Sequence, residues 1–436
     1  MALTGRTALI AALGAILVGL LLPSWTGVLA VELPLLIAIL YDLALAAPVN
    51  QLRFTRSGDT SVRLGEQAYA SILVVNPSRR RSRLRLRDAW PPSSRPDGVP
   101  ETASRHHAHI GPGEQQVVTT VLHPTRRGDR RSERITVRSY GPLGLAARQG
   151  SHAVPWTVRV LPAFHSRKHL PAKLARLREL DGRTSILTRG EGTEFDSLRD
   201  YIPGDDTRSI DWRATARQST VAVRTWRPER DRHILVVLDT GRTSAGRVGD
   251  APRLDTAMDA ALLLATLASR AGDRIDLLAY DRAPRATVKG RAAHEVLPAF
   301  VSAMAPIEPA LVESDTLALA STALRMARHQ SLLILLTGLE ASPVDNGLLP
   351  VLPLLTERHT VLVASIADPR IAEMAAARGD VDAVYNAAAA ARAQLERKQT
   401  ADRLRRYGVT VVDALPSELA PALADAYLAL KSAGRL

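Results

Sequence analysis

The sequence predicts a multidomain chain that consists of an N-terminal transmembrane helical hairpin, an all-β sandwich and a doubly wound α/β domain. Three observations predict this fold class. Long apolar stretches lie within residues 1–50, short alternating runs fill residues 51–162, and apolar strand-like runs alternate with helical stretches over residues 233–436. Residues 163–232 form a linker that carries a dense motif. Since 436 residues exceed what one core normally holds, separate domains are expected.

Composition excludes several functional classes. The chain contains no Cys, which excludes disulfide frameworks, thiolate zinc sites and cysteine nucleophiles. The net charge of +13 is typical of nucleic-acid binding, but the Arg residues are interleaved with acids and only 4 Phe are present for base stacking. We therefore expect no nucleic-acid partner and an Arg-rich surface near anionic lipid. The basic run that starts at Arg79 alternates Arg with Leu, which predicts a strand with one solvated face.

The amino-terminal region predicts a membrane anchor. Residues 7–23 carry no charge, and a second apolar stretch covers residues 28–47. Each approaches the roughly 20 residues that a helix needs to cross a bilayer. The second stretch contains Glu32, Pro34 and Asp42, and we expect the two carboxylates near opposite membrane interfaces. The two stretches together predict a tight helical hairpin.

The basic flanks predict the orientation of this hairpin. Arg6 precedes the first stretch, Arg53 and Arg56 follow the second, and the connection has no Lys or Arg. Both ends are therefore expected in the cytoplasm, as in a multi-pass protein of the inner membrane with cytoplasmic soluble domains. A cleaved signal peptide is the alternative, because residues 28–30 (VLA) are typical of a cleavage site.

Residues 53–160 contain short alternating runs that are separated by Pro, Gly, Asn and Ser turns. This spacing predicts an antiparallel sandwich of immunoglobulin-like type with a structural or adhesive role. His106, His107 and His109 are placed by the sequence in a turn between strands. We interpret them as an exposed, metal-free loop, with a transition-metal site as the alternative.

From residue 233 onward, apolar runs that predict buried strands alternate with helical stretches. The runs cover residues 233–239, 274–280, 331–337, 360–366 and 410–414. Such a pattern predicts a mainly parallel sheet, and the run ATVKG after Tyr280 predicts an antiparallel edge strand. Ligands of such sheets bind at the carboxyl ends of the strands, which directs attention to the loop DTGRTSAG after Asp239. It has neither the dinucleotide nor the phosphate-loop spacing, and no nucleophile elbow is present, so dehydrogenase and hydrolase functions lose support.

The region between the sandwich and the first parallel strand carries the most specific motif. Residues 189–217 read RGEGTEFDSLRDYIPGDDTRSIDWRATAR. This stretch closely resembles the signature of the bacterial domain-of-unknown-function-58 family. The matching positions are Gly192, Glu194, Phe195, Leu198, Arg199, Tyr201, Pro203, Gly204, Asp205, Arg208, Ile210, Asp211, Trp212, Ala216 and Arg217.

The resemblance extends over the whole chain and carries implications for fold and partners. It implies a von Willebrand factor A-like domain. It also implies association with MoxR-type AAA+ ATPases, as a membrane-side partner or adaptor whose own biochemical activity is unestablished.

The motif itself has two interpretations. We expect Phe195, Tyr201 and Trp212 to pin an otherwise polar loop onto the domain. The alternating acids and Arg form either a salt-bridged collar that orders the linker or a surface that docks a partner. The candidate partner-binding residues are Glu194, Phe195, Arg199, Tyr201, Asp205, Arg208, Asp211, Trp212 and Arg217.

Von Willebrand factor A domains often bind a divalent ion, and the resemblance therefore raises the question of a metal. Their pattern D-x-S-x-S is represented here by Asp239, Gly241 and Thr243, so one hydroxyl ligand is missing. Gly338 stands where the pattern often has Asp, with Glu340 nearby. We expect a metal-free interaction fold without a cofactor, with Mg²⁺ as the alternative. The candidate metal ligands are Asp239, Thr243, Ser314 and Asp315.

The leading functional hypothesis is a non-enzymatic scaffold that recruits a partner, such as an AAA+ ATPase, to the cytoplasmic face of a membrane. A metal-dependent hydrolase is the first alternative, but the His residues are scattered and do not stand at strand ends. A metal-dependent adhesin is the second, and the incomplete ligand pattern argues against it.

Overall fold

The computed structural model describes residues 1–21, 23–95, 104–187, 194–202, 205–217, 220–227 and 232–436. For residues 181–187, 194–197 and 225–227 it describes the backbone alone. The chain forms two compact units, Met1–Leu161 and Pro162–Leu436.

The first unit combines apolar helices with antiparallel strands. Its elements are β1 (Ala2–Leu3), α1 (Gly5–Leu21), α2 (Trp25–Leu45), β2 (Arg53–Gly58), β3 (Ser61–Arg63), β4 (Ala68–Val75), β5 (Ser82–Asp88), β6 (Arg105–Ile110), β7 (Gln115–Leu122), β8 (Gly128–Tyr140) and β9 (Ala146–Leu161).

The helices α1 and α2 pack against each other and expose most of their apolar side chains. Ser24 caps α2 by accepting a hydrogen bond from the Gly27 N–H. A Cβ at Gly14 would lie only 2.5 Å from a methyl group of Val31, so the absence of a side chain lets the two helices approach closely. Among the described residues, one helical segment, Trp25–Gln51, is long and apolar enough to cross a membrane, and Gly5–Leu21 is a shorter apolar helix.

Asp42, one of the two carboxylates of the second apolar stretch, lies near the end of α2 and is bound to the sandwich. Asp42 is 0% exposed, and its two oxygens accept hydrogen bonds from the backbone N–H groups of Leu143, Leu145 and Ala146 at 2.7–2.8 Å. A Cβ at Gly141 would lie 2.1 Å from Asp42 Oδ1, so this turn requires a glycine. The end of α2 is thus bound into the turn between β8 and β9.

The strands form two sheets that share an apolar core. One sheet has the order β1-β9-β8-β5-β6 with β3 beside β9, and the other has the order β2-β4-β7. Apolar residues of both sheets meet in one cluster, which includes Ile72, Leu84, Leu86, Ile135 and Val137. The alternation of β5 is confirmed, since its Leu residues are buried and its Arg residues point to the opposite face.

The prediction that His106, His107 and His109 lie in a turn was wrong. All three belong to β6, which pairs with β5. Short polar runs with several His are typical of loops in sequence. Here, backbone pairing with β5 holds the run in a strand. His106 is hydrogen-bonded to the Thr120 hydroxyl at 2.8 Å, and burial lowers its pKa although the charge of Asp88 opposes the shift.

The second unit is an α/β structure. Its elements are α3 (Leu170–Leu187), β10 (Glu194–Asp200), α4 (Trp212–Thr215), β11 (Ala222–Arg227), β12 (His233–Asp239), α5 (Arg242–Ala245), β13 (Arg247–Val248), β14 (Ala251–Pro252), α6 (Arg253–Arg270), β15 (Arg274–Tyr280), β16 (Pro284–Val288), α7 (Ala293–Met304), α8 (Thr316–Met326), β17 (Ser331–Leu336), α9 (Ala341–Pro343), α10 (Leu349–Thr356), β18 (Thr360–Ile366), α11 (Pro369–Ala376), α12 (Val381–Arg406), β19 (Thr410–Ala414) and α13 (Leu419–Ser432).

The main sheet of this unit has the order β16-β15-β12-β17-β18-β19. All neighbours pair in parallel except the edge strand β16, which is antiparallel to β15 as the sequence predicted. The strands are buried on both faces, because α8, α10 and α12 cover one face and α6 contacts the other. The chain moves from β12 to β15 on one side and then to β17 on the other, so the strand order reverses at β12.

Most strand bounds were predicted to the residue, whereas some helix bounds were not. Residues 369–376 form α11, for which no helix was predicted. The apolar pattern predicts a helix over residues 384–406, and the corresponding helix α12 begins three residues earlier, at Val381. The physical reason is capping. Asp368 accepts the Arg370 N–H and Asp380 accepts the Ala383 N–H, which fixes both helix starts.

Candidate functional site

The first candidate site lies at the carboxyl ends of the parallel strands and is centred on Asp239, the last residue of β12. Asp239 Oδ1 accepts hydrogen bonds from the Gly241 N–H at 2.9 Å and the Ser314 hydroxyl at 2.5 Å. Asp239 Oδ2 accepts them from the hydroxyls of Thr243 at 2.7 Å and Thr337 at 2.6 Å. We call Asp239, Thr243, Ser314 and Thr337 the hydroxyl cluster. Four donors fill the acceptor positions of one carboxylate.

Thr337 was not among the candidate residues that the sequence pattern indicated. It follows β17 directly, and β17 lies beside β12 in parallel, so the ends of the two strands meet. A polar residue at the end of an apolar run was the available signal, but only the strand order shows that Thr337 and Asp239 are neighbours.

Two glycines in this site, Gly241 and Gly338, have no room for a side chain, because neighbouring side chains fill the space. A Cβ at Gly241 would lie 2.3 Å from Ser314 Oγ, and a Cβ at Gly338 would lie 1.8 Å from Glu340 Oε2. A larger residue at either position would therefore displace these groups. Glu340 is also paired with Arg253, which offsets its charge.

Asp315 does not belong to the hydroxyl cluster. Its carboxylate caps α8 by accepting the Ala318 N–H at 2.9 Å, and its own N–H donates to the carbonyl of Asp281. Among the described residues, no group of three or more His, Asp or Glu side chains could hold a metal ion. Because Asp239 already accepts four hydrogen bonds and Glu340 is neutralised, the donors that are present do not fit an octahedral Mg²⁺ site without rearrangement.

A cavity of about 730 Å³ opens beside the hydroxyl cluster. Its lining includes polar groups such as Asp239 and Thr337 and apolar side chains such as Leu317, Leu335 and Val344. This combination of an apolar wall with a few fixed polar groups suits a small molecule or the side chain of a partner.

The second candidate site is the family motif. β10 pairs antiparallel with β11, and Ile210 forms an additional bridge with Val223. Asp211 caps α4 by accepting the N–H groups of Arg213 and Ala214, and it accepts a further hydrogen bond from Arg224 Nε at 2.8 Å. The bond from Arg224 and these backbone bonds lower the pKa of Asp211.

A second ion pair lies on the other side of the motif. Arg199 Nη2 is 2.5 Å from Asp205 Oδ1, and the Ile202 N–H donates to Asp205 Oδ2. The Arg199 guanidinium and this backbone bond lower the pKa of Asp205. The backbone N–H of Tyr201 donates to the carbonyl of Val221 at 2.8 Å, which ties this segment to the start of β11.

The expectation that Trp212 pins the loop onto the domain was wrong, because Trp212 is 69% exposed. Its helix is held by the polar groups of Asp211 and Thr215, so the indole is free to face solvent. Arg208 and Arg217 are also exposed, and neither forms an ion pair with a described residue. The side chains of Glu194 and Phe195, and Gly192, Pro203 and Gly204 of the motif, lie outside the described residues.

Residues 197–409 match the family model described as protein of unknown function DUF58. The matched region belongs to the DUF58 family. This confirms the family that the motif predicted. The matched residues lie within the second unit, Pro162–Leu436.

Uncharacterized proteins of Mycobacterium bovis and Mycobacterium tuberculosis are similar to this chain. Each is 30% identical over 190 residues, which cover 43% of this chain and 59% of the relative. The chain therefore spans about three fifths of the length of these curated relatives.

Two solved structures of small domains are also similar to part of the chain. A CARDB domain from Pyrococcus furiosus has a TM-score of 0.18 and 16% identity, covering 25% of this chain and 86% of that domain. A PKD domain of an M14-like peptidase from a Thermoplasmatales archaeon has a TM-score of 0.16 and 11% identity, covering 24% of this chain and 91% of that domain.

Proposed function

We propose that this protein is a non-enzymatic scaffold that is anchored in a membrane and docks a partner through its DUF58 motif. The docking surface consists of Leu198, Ile202, Trp212 and Val221, which are large apolar side chains that the structure leaves exposed. The exposure of Trp212 on a capped helix is the single observation that carries the proposal.

The free energy of association depends on how much conformational freedom the docking residues lose on binding. A Trp that is already held on an ordered element loses little conformational freedom when it is buried by a partner. Trp and Arg dominate the energetics of many interfaces, and Arg208 and Arg217 stand near Trp212 in the chain without an ion pair among the described residues. These features support the docking interpretation of the motif over a collar that serves only to order the linker.

The partner that we propose is an AAA+ ATPase of the MoxR type, as the resemblance of the motif implies. The proposal includes a von Willebrand factor A-like identity for the α/β unit and an immunoglobulin-like identity for the sandwich. The hairpin of α1 and α2 would span the inner membrane twice, with the soluble parts in the cytoplasm. Arg6 and Arg53 at its two ends support this orientation.

The hydroxyl cluster supports a second candidate function, the metal-dependent capture of a partner's carboxylate. The hydroxyls of Thr243, Ser314 and Thr337 lie within hydrogen-bond distance of Asp239, so four oxygen-bearing side chains are close together, although the hydroxyls here donate to the carboxylate. This alternative requires that some of these hydrogen bonds give way to metal ligation, and it predicts that binding of the partner depends on Mg²⁺.

The decisive experiment measures binding of the detergent-purified full chain to a MoxR-type ATPase from the same organism. Trp212→Ala should weaken binding by roughly tenfold or more, since interface Trp residues often contribute above 2 kcal/mol. The thermal unfolding midpoint should not change, because the indole is exposed. Tyr385→Ala is the matched control, since Tyr385 is an aromatic residue outside the motif that is 72% exposed.

Equal binding by the Trp212→Ala variant and the unchanged protein would reject the docking surface. An equal loss in the Tyr385→Ala variant would also reject it. Binding that disappears when Mg²⁺ is chelated would favour metal-dependent capture.

A further inference from the structure

A cavity of about 550 Å³ in the first unit lies beside the start of α1, and its lining includes four Arg and two His side chains. These side chains come from the first turn of α1 and from the outer face of β8, β5 and β6. They are Arg6, Arg83, Arg85, Arg138, His107 and His109. None of the residues that line this basic cavity carries a negative charge.

Strand register places like charges directly opposite each other in this cavity. Arg85 of β5 is paired with Arg138 of β8 on one side and with His107 of β6 on the other. Directly opposed side chains in antiparallel strands have Cβ atoms about 5 Å apart, and like charges at that distance are destabilising. An anion that binds near both guanidinium groups would offset this repulsion.

The protein itself supplies only neutral acceptors to these arginines. Arg83 Nη1 donates to the carbonyl of Pro142 at 3.2 Å, and Arg138 Nε donates to Gln149 Oε1 at 2.8 Å. Among the described residues, no carboxylate forms an ion pair with Arg6, Arg83, Arg85 or Arg138. By contrast, Arg159 on the same sheet is paired with Asp129. The positive charge of the basic cavity is therefore not neutralised by the described part of the chain.

The cavity is fixed at the beginning of an apolar helix. Leu3 pairs with Ala146, and the Thr4 hydroxyl donates to the carbonyl of Gly144 at 2.8 Å, so the start of α1 is held against the sandwich. Beyond this point α1 exposes a series of large apolar side chains, which include Leu9, Leu13 and Ile16. An anionic group that is bound in the cavity would lie next to a surface suited to acyl chains.

We propose that the basic cavity binds the phosphate headgroup of an anionic phospholipid. Guanidinium groups bind phosphate oxygens through paired, charge-assisted hydrogen bonds, and basic pockets beside membrane helices are a known form of lipid recognition. The inference rests on the proposed membrane anchor, but it is independent of the docking surface. Bound lipid relieves the repulsion between Arg85 and Arg138 and holds the sandwich at the membrane surface.

The test uses the full chain in nanodiscs of phosphatidylcholine alone or with added phosphatidylglycerol. Native mass spectrometry of the released protein measures which lipid is retained, and a titration gives its affinity. We expect selective retention of phosphatidylglycerol. The Arg85→Gln/Arg138→Gln variant should bind it at least roughly tenfold more weakly, since two charge-assisted bonds are lost.

The matched control is Arg131→Gln/Arg134→Gln, which removes the same charge from exposed positions of β8 outside the cavity. Its affinity for phosphatidylglycerol should change less than about twofold. Arg6→Gln provides a second variant outside the sheet and should also weaken binding. In phosphatidylcholine alone, Arg85→Gln/Arg138→Gln should unfold at the same temperature as the unchanged chain or higher, because it removes the like-charge pair.

Several outcomes would overturn the lipid site. Equal retention of phosphatidylcholine and phosphatidylglycerol would do so, as would equal weakening in the control variant. If inorganic phosphate displaces the lipid and protects the cavity equally well, the ligand is free phosphate. A chain that enters no nanodisc would overturn the anchor and the lipid site together, whereas insertion without selectivity would overturn the lipid site alone.

Discussion

Asp239 illustrates at the scale of single residues how one carboxylate organises a site. It is nearly buried, and its charge is compensated by four hydrogen bonds from three separate loops. The donors Ser314 and Thr337 are distant in sequence, so the cluster connects the ends of β12 and β17 with the loop before α8. Loss of any one donor leaves part of a buried charge without compensation.

Replacement of Thr337 by Val tests this account. Thr337→Val keeps the shape of the side chain and removes one donor to Asp239, which should lower the free energy of unfolding by about 1.5–3 kcal/mol. Urea unfolding measures the change. The control is Thr322→Val, because the Thr322 hydroxyl bonds within its own helix, to the carbonyl of Ala318 and to the side chain of Arg325, and not to a buried carboxylate. Equal effects of the two substitutions would contradict a special contribution of the cluster.

His359 provides a prediction for pH dependence. It is 6% exposed, and neither ring nitrogen has a hydrogen-bond partner in the described structure. Burial lowers its pKa from the usual 6.5, and the nearby charges of His233 and Arg358 act in the same direction. The unfolded chain therefore binds a proton that the folded chain resists, so stability is present above pH 6.5 and falls as the pH drops below it.

Substitution of His359 should remove part of this dependence. We expect His359→Leu to retain more of its stability below pH 6.5 than the unchanged chain, measured as unfolding midpoints on both sides of that pH. His294→Leu is the control, since the side chain of His294 is 84% exposed. The account fails if the two variants show the same pH profile.

At the scale of elements, the end of α2 is bound to the sandwich by several polar groups. Asp42 accepts three backbone hydrogen bonds from the turn after β8, and Arg148 Nε donates to the carbonyl of Leu43 at 3.0 Å. Arg80 donates to the carbonyl of Ala44. The last carbonyls of a helix have no partners inside the helix, so these arginines satisfy groups that would otherwise need water. These hydrogen bonds therefore hold the end of α2 against the turn between β8 and β9.

Asp42→Ala should disrupt this connection. Three backbone N–H groups would lose their acceptor in a buried position, which is expected to cost about 3 kcal/mol or more. The measurement is the unfolding midpoint in detergent together with the rate of proteolysis at the turn around Gly144. Glu32→Ala removes a carboxylate from an exposed position of the same helix and should have little effect. Unchanged proteolysis in Asp42→Ala would show that the three bonds are not required.

At the scale of the whole molecule, the proposed function depends on which side of a membrane each part occupies. Both ends of the helical hairpin are bound to the same sandwich, since Leu3 pairs with Ala146 and Asp42 contacts the adjacent turn. The connection between α1 and α2 should therefore lie on the opposite side from the sandwich if both helices cross the bilayer.

The absence of Cys from the chain makes this topology directly testable. A single cysteine introduced as Thr26→Cys, in the first turn of α2, should react with a membrane-impermeant maleimide added to intact cells. A cysteine introduced as Ser432→Cys, near the end of α13, should react only after the cells are opened. Labelling of Ser432→Cys in intact cells would reject a cytoplasmic location for the α/β unit.

The sequence by itself determined the features that short windows encode. The strands at 233–239, 274–280, 360–366 and 410–414 match their predicted bounds because each is a continuous apolar run between polar turns. The alternation of Leu and Arg in β5 and the family motif are also encoded by consecutive residues. Helix starts were predicted less accurately. For example, α12 begins at Val381, directly after its capping residue Asp380, and not at residue 384 as predicted.

Only the tertiary structure decided which of these local features become neighbours. Thr337 reaches Asp239 because β12 and β17 are adjacent in the sheet, and Ser314 reaches it from a loop whose Val312 carbonyl accepts the Arg242 N–H. Asp42 likewise reaches a turn about 100 residues later in the chain. The opposition of Arg85 and Arg138 likewise depends on the register of two strands. Strand order and register arise from packing of the whole core, and no short window of sequence contains that information.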